Sequence, residues 1–226
     1  MVVAVTHQPD DVEIVVAGAP RDAVTDLPRF EIVAQPLTPE AFAPFGRAYV
    51  PPSATDEVAD HWPNKKQLGG IDHLWTGDTE QIHEEIAIVG GLPQPLFRTN
   101  RHLNFGQVFR CLQGWFGVVV ADPKMSHTAF DPGGHALFVA PPGSVVQLDR
   151  LTWHVEPCAL APGGVLSISQ SSGMYTSNNT VAIEDLGKQA LIRLTVPPEL
   201  VPLEVHRYLT RYLPETAAET AVAAAG

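Results

Sequence analysis

Between Ile86 and Ile168 the chain runs in short apolar or alternating stretches, each closed by turn chemistry: Gly90-Gly91, Gln113-Gly114, Asp131-Pro132-Gly133-Gly134, Pro141-Pro142-Gly143 and Pro162-Gly163-Gly164. β-type segments of about four to eight residues with such regular punctuation predict the strands of a sandwich or barrel. Val108 to Leu112 and Trp115 to Ala121 flank one tight turn, and Ala136 to Ala140 and Val145 to Leu148 flank another. Helical signals occur in two places. Thr38 is placed to cap a short helix, with Pro39 at its first position, Phe42 and Phe45 facing inward and Gly46 ending the turn. After Pro198, residues Val201, Val205, Tyr208, Leu209, Tyr212 and Leu213 share one helical face until Pro214 stops it, which predicts a terminal helix docked on the barrel or on a partner.

The remaining segments are less regular. Val12 to Ala17 is strand-like inside a leader punctuated by Pro and Asp, and reads as an added edge strand or an oligomer arm. Pro51 to Gly70 carries His61, Trp62, Asn64, Lys65 and Lys66 without a period, and a long irregular loop inside a domain reads as a lid. Residues 171 to 180 are rich in Ser, Asn and Thr and read as loop, and Leu191 to Val196 as a strand returning to the sheet. The expected organisation is an extension over 1–29, a barrel domain over 30–197, and a helix with a frayed tail over 198–226. The fold class is all-β with a few peripheral helices.

Composition then excludes several functions. A chain of 226 residues can bury a core without staples. Cys111 and Cys158 sit in apolar segments and form neither a CxxC pair nor a disulfide framework, which fits a reducing cytoplasm. Asp10, Asp11 and Glu13 interrupt any signal-peptide core, and no apolar run has the length of a membrane span, so a soluble cytoplasmic protein without a membrane partner is expected. A formal charge of −11 and a pI near 5.1 argue against a nucleic-acid partner, which needs a basic stripe. Against that acidic background, arginines at 98, 101 and 150 beside histidines stand out.

The candidate chemistry lies in two polar clusters set among β-type residues: Asn100-Arg101-His102 with Gln107, and Asp149-Arg150 with Trp153-His154. Neighbouring strands of a small barrel would bring such clusters to its mouth. Imidazoles at His102 and His154 can exchange protons near neutrality, and Arg101 or Arg150 can grip a carboxylate. Asp149 is a candidate base or histidine-orienting group. Trp153 reads first as wall packing and second as a substrate-facing ring. Alternation along a strand sets Arg101 and His102 on opposite faces, and along an unbroken strand it would set Arg150, Thr152 and His154 together. On that count Arg150 with His154 is the better-supported pair. His73, His83, His127 and His135 lie near turns and read as solvent-facing, and Cys111 as a small buried apolar residue.

Histidines on adjacent barrel strands resemble the cupin arrangement, in which a His-x-His pair, a Glu and a further His hold one ion. Here Asn100 replaces the first His, His102 is the second, Gln107 replaces the Glu and His154 supplies the last. A divalent metal (nickel, manganese or zinc) on His102, Gln107 and His154 is therefore the candidate cofactor if one is used, although two neutral amides make a weak set. More specifically, the chain resembles the ureidoglycolate lyase family. Three blocks carry the likeness: Gln35-Pro36-Leu37-Thr38-Pro39 through to Gly46; Arg101-His102, Gln107-Val108-Phe109, Gly114 and Val118 to Ala121; and Ala129-Phe130 with Trp153-His154. The resemblance implies a cupin-like double-stranded β-helix barrel (jelly roll), and an enzyme of purine and allantoin catabolism releasing glyoxylate and urea from a small 2-hydroxy acid. Leu148-Asp149-Arg150 and Val155-Glu156-Pro157 depart from the family's usual residues around Trp-His. The implied assignment gives His102, Asp149 and His154 catalytic roles and Arg101, Gln107, Arg150 and Trp153 substrate contacts, with a small carboxylate as ligand and a homodimer as the assembly. Rival readings are another cupin-type hydrolase or isomerase of a small acid, and a non-catalytic acid-binding domain.

Overall fold

Phe116–Ala121 is apolar at every position, the signature of a strand buried on both faces, and in the structure all six residues are buried. The fold is organised about it. The computed structural model describes residues 27–51, 60–62, 65–66, 82–92, 96, 98–103, 106–125, 131–171, 181–186 and 189–212. In chain order the strands are β1 (Arg29–Val33), β2 (Gln35–Pro36), β3 (Gly46–Tyr49), β4 (Asp60–Trp62), β5 (Lys65–Lys66), β6 (Ile82–Ile88), β7 (Arg98–His102), β8 (Gln107–Gln113), β9 (Phe116–Ala121), β10 (His135–Ala140), β11 (Val145–Leu148), β12 (Trp153–His154), β13 (Cys158–Ala159), β14 (Val165–Ser171), β15 (Val181–Asp185) and β16 (Leu191–Thr195). The helices are α1 (Pro39–Phe42) and α2 (Leu203–Tyr212).

Two sheets carry the barrel. One runs β15-β7-β12-β9-β10-β2 with β13 also paired to β9, and the other runs β3-β11-β8-β14-β6. Alternation along β9 divides its side chains between two cores. Phe116, Val118 and Val120 meet Phe109, Cys111, Val146, Leu148, Leu166 and Ile168 of the five-stranded sheet, filling the space between the sheets. Val119 turns the other way, with Leu137 and Val139 of β10, against Ile32, Ile192, Leu194, Val205 and Leu209. The outer face of the seven-stranded sheet is thus covered by the parallel β1–β16 pair and by α2. This is an all-β, cupin-like jelly roll with a few peripheral helices.

Most turn signals behave as their chemistry requires. Gly114, Gly143 and Gly163 take positive φ of 91°, 83° and 83° at three of the expected turns. Thr38 caps α1, its Oγ1 accepting from the Ala41 amide at 3.1 Å, and Pro39 opens the helix. Gly46 differs from expectation: it starts β3, at φ 149°, with the Gln147 carbonyl so near that any Cβ would collide with it. Leu191 to Thr195 forms its own ladder with β1 and does not join either large sheet. The lid reading falls mostly outside the described residues, of which 60–62 and 65–66 pair as β4 and β5. Val12 to Ala17, positions 172–180 of the expected loop 171–180, and the expected tail from Glu215 also lie outside them, while Ser171 closes β14. Among the described residues no helix is long and apolar enough to cross a membrane.

Candidate active site

The strand β12 is only two residues long, yet it fixes the site. His154 lies opposite Val120 of β9 and Asn100 of β7, so all three share the inner face, and His102 follows two residues after Asn100 on that face. Trp153, paired with Ala121, points outward. The His102 and His154 rings stand 5.2 Å apart between centroids, and Phe109 packs 6.3 Å from His154. Both histidines are buried. Thr99 Oγ1 donates to the His154 carbonyl at 3.1 Å, which ties β12 to β7.

From the facing sheet, Gln107 and Gln170 are buried, and Gln107 Nε2 donates to Gln170 Oε1 at 2.6 Å. Gly106 lets β8 begin hard against the Leu148 carbonyl, where a side chain would not fit. The result is a layer of imidazoles and amides at one end of an otherwise apolar interior. His154 is the best-defined member. Its Nδ1 lies 2.9 Å from the Thr152 carbonyl, which can only accept, so Nδ1 carries the proton and Nε2 keeps its lone pair. Burial, and then the nearby His102, push the imidazole down to about 3, while the Thr152 carbonyl acts the other way. At neutral pH His154 is therefore an uncharged proton acceptor.

Neither Arg101 nor Arg150, the two side chains expected to grip a carboxylate, faces this layer. β11 ends at Leu148, and residues 149 to 152 form a turn in which Leu151 takes φ 72°. That turn is pinned by the Asp149 amide and Thr152 Oγ1, both donating to the Phe45 carbonyl, and by the Leu151 amide donating to the His102 carbonyl. Asp149 and Arg150 are exposed, and the alternation that would align Arg150 with His154 is broken by the turn. Arg101 lies on the outer face. Its guanidinium stacks 4.5 Å from the centre of the Trp153 ring and donates to the Met125 carbonyl at 3.0 Å. Trp153 is fully buried and donates from Nε1 to the same carbonyl at 2.9 Å. Both side chains are thus packed together on the outer face of this sheet.

A family model described as ureidoglycolate lyase matches residues 29–179. The chain belongs to the ureidoglycolate lyase family. The matched span holds His102, Gln107, His154 and Gln170, while β15, β16 and α2 lie beyond it. No curated protein matches the chain. Similar solved structures include the WlaRB TDP-quinovose 3,4-ketoisomerase of Campylobacter jejuni (12% identity, covering 46% of this chain and 70% of that one, TM-score 0.32). A dTDP sugar isomerase of Desulfovibrio desulfuricans shares 14% identity over 63% of this chain and 85% of its own, with TM-score 0.33.

In this ureidoglycolate lyase family member the metal question turns on donor chemistry. Gln107, whose nitrogen donates to Gln170, can offer an ion only a neutral amide oxygen, and Asn100 stands where an imidazole would serve better. Among the described residues no group of three or more His, Cys, Asp or Glu side chains is placed to hold an ion. Two imidazoles and an amide do not fit the imidazole-plus-carboxylate preference of a divalent cation. Other residues were misread or missed. Gln170 was not anticipated; the signal was a glutamine following Leu166 and Ile168 in the inward row of β14. His135 is buried, its Nδ1 donating to the Pro132 carbonyl, and His83 is half-buried beside Glu85. His73 and His127 lie outside the described residues. Cys111 is the expected small apolar filler, its thiol pushed up to about 12 by burial.

Proposed function

We propose that the protein is a ureidoglycolate lyase-type enzyme that breaks the C–N bond of a small 2-hydroxy acid without a metal. Family membership supports a lyase-type activity, and the Nδ1–Thr152 hydrogen bond, which leaves His154 Nε2 as the acceptor, is the observation that carries the mechanism. In this reading His154 Nε2 takes the proton of the substrate hydroxyl. The electron pair left on oxygen forms the carbonyl of glyoxylate, the C–N bond breaks, and the nitrogen leaves as urea once it gains a proton.

His102, Gln107 and Gln170 border the same space and hold the ligand by hydrogen bonds. The carboxylate needs a cation, and strand alternation points to Arg98, which lies two and four residues before Asn100 and His102 on β7. Replacing Arg98 by Ala should raise KM for ureidoglycolate by about tenfold or more, whereas the same change at Arg150 should leave it within about twofold. Equal effects at the two positions, read from initial rates, would remove Arg98 from this role. A non-catalytic acid-binding domain would use the same Nε2 as a plain hydrogen-bond acceptor, and would bind ureidoglycolate without releasing urea.

A further inference from the structure

Which nitrogen of a neutral imidazole can accept a proton is set by the hydrogen bond that the other nitrogen makes. For His154 that bond runs to the carbonyl of Thr152, two residues back along the chain. The carbonyl belongs to a turn in which Asp149 and Arg150 are exposed, and an exposed turn left to itself fluctuates. Rotation of this one peptide unit would release the Nδ1 proton and let the ring take the other tautomer, in which Nε2 donates and cannot accept. The base is therefore only as well defined as the turn that precedes it.

That turn is held more tightly than its length requires. Thr152 Oγ1 donates to the Phe45 carbonyl at 2.9 Å, and the Asp149 amide donates to the same oxygen at 3.0 Å. Phe45 is a firm anchor, because its ring packs against Phe42 and Phe138 of the core, with centroids 5.9 Å and 5.8 Å away. The Leu151 amide reaches the His102 carbonyl at 2.9 Å, and the Thr152 amide closes the turn on the Asp149 carbonyl at 3.2 Å. Leu151, at φ 72°, is the one non-glycine residue of positive φ among the described residues. A side-chain-bearing residue stays in that region only where its surroundings over-determine it, and here these hydrogen bonds do so. Among them the buried Thr152 hydroxyl is the one contribution made by a side chain.

We propose that Thr152 is a positioning residue for the base: by bonding its hydroxyl to the Phe45 carbonyl, it fixes the peptide carbonyl that keeps the His154 proton on Nδ1 and leaves Nε2 to accept. This deepens the lyase reading and rests on it. Thr152 acts through His154, its own side chain being turned to Phe45. Its loss costs turnover more than binding, since a ring in the wrong tautomer cannot take the hydroxyl proton.

The test uses the full-length protein with Thr152→Val, which keeps the shape of threonine without the hydroxyl, and Thr152→Ser, which keeps the hydroxyl. Nitrogen-15 NMR of the imidazoles at pH 7 reads the tautomer, because protonated and bare ring nitrogens have well-separated shifts. Wild type and T152S should show His154 protonated on Nδ1 and bare on Nε2, and T152V should show the two signals moved toward one another. On racemic ureidoglycolate, kcat should fall by about tenfold in T152V with KM within about threefold, and T152S should restore kcat to within about threefold of wild type. If T152V does not fold, the Leu151→Gly/Thr152→Val double variant carries the same measurements, since glycine takes the left-handed φ without strain. If wild type releases no urea, the lyase reading fails, and the tautomer change in the valine variant still supports the clamp. A proton on Nε2 in wild type, or a folded valine variant with the wild-type tautomer, overturns the proposal.

Discussion

At the residue scale, the same burial that makes His154 a neutral base makes it sensitive to acid. An imidazole pushed down to about 3 by burial and by His102 charges on unfolding, where its ordinary value is near 6.5. Because the folded value is the lower one, its contribution is present above pH 6.5 and is lost as pH falls from there toward 3. Urea midpoints should therefore drop between pH 7 and pH 4.5 in wild type and drop less in His154→Gln; equal drops would contradict the assignment. His135 is lowered by burial too and titrates in the same direction in both proteins, so the difference isolates His154. Arg101 makes the opposite kind of prediction. Its guanidinium stacks on Trp153 and bonds the Met125 carbonyl, so Arg101→Ala should cost about 1–2 kcal/mol of stability while KM stays within about twofold. A large KM change with unchanged stability would restore it to the ligand. The inward placement of the two histidines and Gln107 was legible because their neighbours are β-formers and the strand parity survives. Asp149 and Arg150 were misread because Leu151 adopts a left-handed φ that no period reveals.

At the element scale, the strands were legible wherever Gly or Pro punctuated an apolar run, and α1 was legible from Thr38 and Pro39 alone. Gly46 was read as the end of a turn when its real demand is steric, set by the Gln147 carbonyl of a strand a hundred residues away in sequence. Long-range contacts of that kind leave no local mark. The same holds for β12, whose two residues are too short for any pattern and whose role comes from pairing with β7 and β9. The terminal helix is a firmer case, although it starts at Leu203, after Val201: Val205 and Leu209 are buried against the outer face of the seven-stranded sheet, as their spacing requires. Leu209→Ala should lower stability by about 2–3 kcal/mol in denaturant melts, with the far-UV circular dichroism of the barrel unchanged. A neutral result would mean that α2 is not part of the cooperative unit.

At the scale of the whole molecule, the homodimer expected from the sequence has a surface to use. Ile82, Ile86 and Ile88 are 59%, 71% and 81% exposed along β6, the terminal strand of its sheet among the described residues. We propose that a second copy covers this row, since a strand paired antiparallel to itself about a two-fold axis sets isoleucine against isoleucine and is self-complementary. Light scattering at micromolar concentration should give a dimer for wild type and a monomer for the Ile86→Lys/Ile88→Lys double variant; a monomeric wild type would contradict the surface assignment. The barrel architecture was legible in the sequence because it follows from run length and turn spacing, whereas its layering was not: that β1, β16 and α2 form a coat over one sheet depends on which apolar faces meet in space.

The central claim is that ureidoglycolate is cleaved here by imidazole proton transfer without a metal. It is tested most directly by measuring glyoxylate and urea released in equal amounts from racemic ureidoglycolate, with wild-type and His154→Gln protein, before and after exhaustive chelation. The account predicts release by wild type that chelation leaves within about twofold, and a loss of at least about 100-fold in the folded variant. No release from folded wild type, or release that vanishes with chelation and returns with added nickel or manganese, would contradict it.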